Sequence, residues 1–130
     1  MKLHTLLAAA LTIAPIPALA AGLEPVKPFA GYTCMMLTET AAQSMDFQHP
    51  VSFKMKPSDS APNAGPVGNQ VAVKIGTNVI NGYVETVDFA FRPRWVAQKY
   101  LVPYHAKADP SATCTPAIMS NGHLGFDYSH

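Results

Sequence analysis

The stretch RWVAQKYL, residues 94–101, holds the chain's one tryptophan. Trp95 and Val96 read as the start of a short strand. Residues 97–99 then turn the chain, and Tyr100 with Leu101 closes the sheet. Immediately upstream, Pro93 interrupts the pattern, which predicts a bulge or an edge there.

Further upstream the period-two character continues. Asn81-Gly82 is a hairpin signal, with Val79 and Ile80 before it and Tyr83, Val84, Thr86, Val87, Phe89 and Phe91 after it. Val71, Val73 and Ile75 alternate with Ala72 and Lys74, as in a half-buried strand. Val51, Phe53 and Met55 alternate with Ser52, Lys54 and Lys56. Between these two strands, PSDSAPNAGPVGN (residues 57–69) is almost all turn formers and reads as a loop. Short strands separated by turns predict a small sandwich or barrel.

The flanks differ. Residues 21–50 open on a proline-punctuated arm, GLEPVKPFAGY. A possible strand follows over residues 32–37, and then a helical turn, TETAAQSM, with Thr40 and Gln43 placed as a capping box. Residues 102–130 carry few apolar side chains and many turn formers, which predicts a loop-rich tail. Cys34 and Cys114 are the only cysteines. An even pair in an exported protein reads as one disulfide tying the two flanks.

Export is expected from residues 1–20, MKLHTLLAAALTIAPIPALA. A short basic start, an apolar run from Leu6 to Ile13 and Ala18-Leu19-Ala20 make a secretory signal cut after Ala20. No later apolar run is long enough to span a membrane. The expected product is therefore periplasmic or secreted, with no stable membrane anchor. Removing Lys2 with the leader leaves eight basic and eight acidic side chains. That balance argues against a nucleic-acid partner.

Residues 51–101 resemble the bacterial SH3 (SH3b) family. The segments that carry the resemblance are VSFKMKPSDSAPNAGPVGNQVAVKI, NGYVETV and RWVAQKYL. The chain departs from the family pattern at Lys54-Met55-Lys56-Pro57, at Tyr83 where Trp is common, and at Arg94 where Gly is common. The resemblance implies a mainly β fold built on a small SH3-like barrel, with Val96 inward and Trp95 on the opposite face. Tyr100 and Leu101 would close the sheet against the first strand of that barrel. It also implies a non-enzymatic binding module that recognises cell-wall peptide or a protein segment through an aromatic groove. Tyr83, Trp95, Tyr100, Arg92 and Arg94 are the candidate ligand-binding residues: large rings with polar tips, flanked by guanidinium groups able to meet carboxylates.

Two other readings stand beside it. The long flanks suit a small accessory or inhibitory subunit of an exported enzyme. Met35, Met36, Met45 and Met55 could hold copper, although packing by flexible side chains explains them as well. No cofactor is expected. His49, His105, His123 and His130 are scattered, and Glu85 and Asp88 on one strand would face opposite ways. Asp46, Asp59, Asp109 and Asp127 read as turn formers. None of these makes a nucleophile–base pair.

Overall fold

A computed structural model describes Ala9 and residues 22–130. The signal segment, residues 1–20, lies outside the described residues apart from Ala9. Among the described residues the fold is mainly β: ten strands in two antiparallel sheets, one α-helical turn, one 3₁₀ turn (Gln98–Tyr100) and one disulfide. The strands are β1 (Pro25–Pro28), β2 (Tyr32–Leu37), β3 (Ser52–Lys54), β4 (Asn63–Pro66) and β5 (Gln70–Lys74), followed by β6 (Tyr83–Val87), β7 (Pro93–Ala97), β8 (Leu101–Pro103), β9 (Thr113–Met119) and β10 (Leu124–Ser129). The α-helical turn, α1 (Ala41–Ser44), carries the expected capping box. Thr40 accepts from the Gln43 amide, and Gln43 accepts from the Thr40 amide.

The large sheet has the order β4-β3-β7-β6-β5-β2-β8. Phe53, Val71, Val73, Val84, Val96 and Leu101 from its strands share one core, so the sheet is rolled around them. It is not closed. Tyr100 and Leu101 do return to a sheet strand, but the partner of β8 is β2, through Met35↔Pro103, Met36↔Val102 and Leu37↔Leu101. The expected partner was β3. The apolar run over residues 32–37 lies beside β5 and takes the place the barrel reading gave to β3.

The expected loop-rich tail is instead a hairpin. Strands β9 and β10 pair along their length, and β1 adds on the other side of β9. This three-stranded sheet packs on the outer face of the large one. Ala72, Val87 and Leu124 form the centre of that second core, with Phe29, Tyr32, Phe91 and Phe126 around them. Strand β5 is therefore buried on both faces, and Ala72 is not the solvent-facing residue that simple alternation predicts. Pro93 is the first residue of β7, a position where proline removes no interior ladder bond. Asn81 and Gly82 take positive φ angles of 51° and 80°. Ile80 and Tyr83 exchange backbone hydrogen bonds across them, as the Asn-Gly signal predicts.

Cys34 and Cys114 are bonded, joining β2 of the large sheet to β9 of the small one. Among the described residues, no helix is long and apolar enough to cross a membrane.

Candidate functional site

Strand β6 begins at Tyr83, and the 3₁₀ turn Gln98–Tyr100 follows the neighbouring strand β7. This places Tyr83, Lys99 and Tyr100 along one wall of a groove of about 320 Å³. Lys54 of β3, Asp59 of the β3–β4 loop, and Gln43 and His49 of the α1 segment also line it. Two further depressions adjoin it. One runs past Lys99 and Tyr100 to Thr38, Glu39 and Thr40; the other runs past Asp59 and Lys99 to Asn81 and Gly82. Lys99 lines all three, so the depressions adjoin there and form one trough.

The trough's polar groups are individually held. Tyr83 is buried, and its hydroxyl donates to Asp59 Oδ1 at 2.5 Å. Burial first, and then the Asp59 carboxylate, push the Tyr83 phenol up to about 12. It stays protonated and acts as a fixed donor to Asp59. Lys54 Nζ donates to the carbonyls of Asp59 and Ala61, at 3.2 and 3.3 Å. An ammonium has three donors, so one remains. Lys99 Nζ lies 5.0 Å from the centroid of the Tyr100 ring, a cation–π contact.

The five candidate residues divide among three places. Tyr83 and Tyr100 share the trough. Trp95 does not line it. It stands, half-buried, in a row of cross-strand neighbours on the outer face, between Lys54 of β3 and Glu85 of β6. Glu85 in turn meets Lys74 at 3.4 Å. Arg92 and Arg94 are drawn to Asp88, which follows β6 in a turn and is only 6% exposed. Asp88 accepts from the amides of Ala90 and Arg92 and from Arg92 Nε, at 2.9, 3.0 and 2.9 Å. Arg94 Nε, buried and otherwise without a partner, lies 3.4 Å from Oδ2, the same oxygen that accepts from Arg92 Nε. Burial alone would raise the Asp88 pKa, but these donors outweigh it and hold the carboxyl below its ordinary value. The guanidinium groups thus meet a carboxylate of this chain. Asp88 was expected on the strand, facing away from Glu85; it is instead the buried anchor of the turn that holds Phe91 at a φ of 61°.

Sequence reasoning missed Lys54 and Asp59. Lys54 reads as the polar half of an alternating strand and Asp59 as a turn former, and only the β3–β4 fold brings them beside Tyr83. The methionines are spread apart in environment: Met35 packs against the first core, Met36 Sδ accepts from the His105 amide, and Met45 and Met55 are exposed. Ser111 Oγ and His130 Nδ1 both contact Asp109, on separate oxygens. The carboxylate stands between the hydroxyl and the imidazole, which is not the order a base-activated nucleophile needs. Among the described residues, no three His, Cys, Asp or Glu side chains gather as a metal site. Comparison of the chain with family models, with curated proteins and with solved structures returns no match.

Proposed function

We propose that this chain is a non-enzymatic, exported binding module of the SH3b-like kind, recognising cell-wall peptide through the Tyr83–Tyr100 trough. The observation that carries the reading is the trough's shape. Three adjoining depressions meet at Lys99, and the Tyr100 ring lies where two of them join. Adjoining open depressions lined by a tyrosine and polar groups fit a chain running from one to the next better than a compact small molecule. Val96 in the core and Trp95 on the other face support the SH3b-like part of the reading.

The test is co-sedimentation of the oxidised protein, residues 21–130, with isolated peptidoglycan sacculi. Wild type is expected in the pellet, and Tyr100→Ala in the supernatant with an unchanged circular dichroism spectrum. Trp95→Ala is expected to pellet like wild type. Wild-type protein that stays in the supernatant rejects wall recognition.

One observation favours a second reading, that of an accessory subunit docking on an exported protein. Phe47, just after α1, is 81% exposed, and Met45 beside it is 70% exposed. Apolar side chains this open suit a protein–protein contact. A stable heteromer in periplasmic extract, lost on Phe47→Ser, would support that reading.

A further inference from the structure

The charges of the trough are unevenly placed. Lys54 and Lys99 both line the groove, in which Asp59 is the one acidic side chain. Asp59 is already engaged by the Tyr83 hydroxyl. The other acidic residue of the neighbourhood on this side, Asp46, sits on His49 at 3.3 Å. Each ammonium keeps donor capacity. Lys54 spends two of its three donors on carbonyl groups and is in no ion pair among the described residues, so Asp59 is the one carboxylate set against two ammonium groups in this groove. Lys99 rests on an aromatic face and has no acidic partner among the described ion pairs. Glu39 does not line this groove but the depression beside it, which Lys99 and Tyr100 share.

From this arrangement we infer that the trough selects a carboxylate-bearing stretch of wall peptide, with the carboxylate held by Lys54 and Lys99 and the ligand backbone lying over Tyr100. The inference rests on the wall-binding reading above and adds the ligand's charge and direction. A carboxylate would complete the third donor of Lys54 by a charge-assisted hydrogen bond, the stronger kind. Glu39 then favours an amino group on the ligand toward its own end and disfavours a second carboxylate there. Lys99 lies in the open, so its share of the attraction is screened by salt, whereas that of half-buried Lys54 is screened less.

The experiment compares two preparations of the same sacculi, one untreated and one with its carboxylates converted to amides by carbodiimide and methylamine. Wild-type protein is expected to pellet with the untreated wall and to lose about five- to tenfold in apparent affinity on the amidated wall. Lys99→Met is expected to bind untreated sacculi several-fold more weakly and to show a shallower decline between roughly 50 and 300 mM NaCl. Lys99→Arg should restore binding. Lys54→Met is the stronger variant, but it also removes two contacts within the β3–β4 hairpin. Exposed Lys99 therefore carries the test if Lys54→Met does not fold. Equal binding to untreated and amidated sacculi overturns the carboxylate inference and leaves the wall reading standing. No binding to untreated sacculi overturns the wall reading itself, and the inference with it.

Discussion

The Tyr83 hydroxyl reaches Asp59 Oδ1 at 2.5 Å, joining β6 to the β3–β4 loop over a sequence separation of 24 residues. The bond ties together the two walls of the trough. Asn81 Nδ2 makes a parallel tie, donating to the Pro57 carbonyl at 3.0 Å.

Removing the hydroxyl with Tyr83→Phe keeps the buried ring and leaves Asp59 exposed to water. The loss should be about 0.5–1.5 kcal/mol, read from urea unfolding. The same variant tests the pH dependence. The phenol's folded pKa of about 12 lies above its unfolded value near 10. Its contribution to stability is therefore complete below pH 10 and is lost as pH rises from there through 12, because the unfolded chain gives up its proton first. Wild type should lose its advantage over Tyr83→Phe across that window. A constant difference from pH 8 to 12 would contradict the assignment.

Asp88 titrates with the opposite sign. Its folded pKa is depressed, so its contribution is present above the ordinary carboxylate range and is lost as pH falls through the depressed value. Asp88→Asn weakens three hydrogen bonds and leaves the buried Arg94 Nε without its ion pair. About 2–3 kcal/mol of destabilisation at pH 7 is expected. Acid unfolding of the variant should be less steep than that of wild type.

The disulfide spans 80 residues of sequence. Chain-entropy reasoning gives such a crosslink about 4–5 kcal/mol. Cys34→Ala/Cys114→Ala should melt well below the oxidised protein, and a reducing agent should lower the wild type's Tm without affecting the variant's.

Gly125 of β10 sits beneath Met119 of β9. A Cβ at that position would lie 2.2 Å from Met119 Cγ. Gly125→Ala should cost about 1–3 kcal/mol by overpacking. Met119→Ala in the same chain should recover part of the loss. Both residues line an apolar groove distinct from the trough, so sacculus binding by the folded fraction should not change.

Several features were legible because one local rule dominates each. Asn81-Gly82 demands positive φ at two successive residues, and Thr40 with Gln43 closes a capping box from side chains alone. Val96 and Val84 follow simple alternation into the core. The misses share a cause, since tertiary placement overrode a local signal. Strand β1 carries Pro25 and Pro28, which a sheet tolerates because β1 is an edge. Pro116 lies in central β9, yet the β1 ladder stops at Pro28↔Ala117, beside it. Strand β4 is Asn-Ala-Gly-Pro, a turn composition that pairs only because β3 supplies a neighbour. The site was half legible for the same reason. Tyr83 and Tyr100 stand out as rings in a strand pattern, while Arg92 and Arg94 look like ligand donors until Asp88 is seen between them.

Strands β3 and β7 meet through one register pair, Lys54↔Trp95, whereas β7 and β6 pair along five residues. The trough lies across this narrow seam, with Lys54 and Asp59 on one side and Lys99 and Tyr100 on the other. Its width is therefore governed by the joint of the large sheet with the fewest register pairs, which the Tyr83–Asp59 and Asn81–Pro57 bonds brace from the β6 side. A chain bound across both walls would act as a staple. It would slow hydrogen exchange at the Lys54 and Trp95 amides more than anywhere else in the sheet, and this signature would register occupancy even for a ligand whose chemistry differs from the one inferred above.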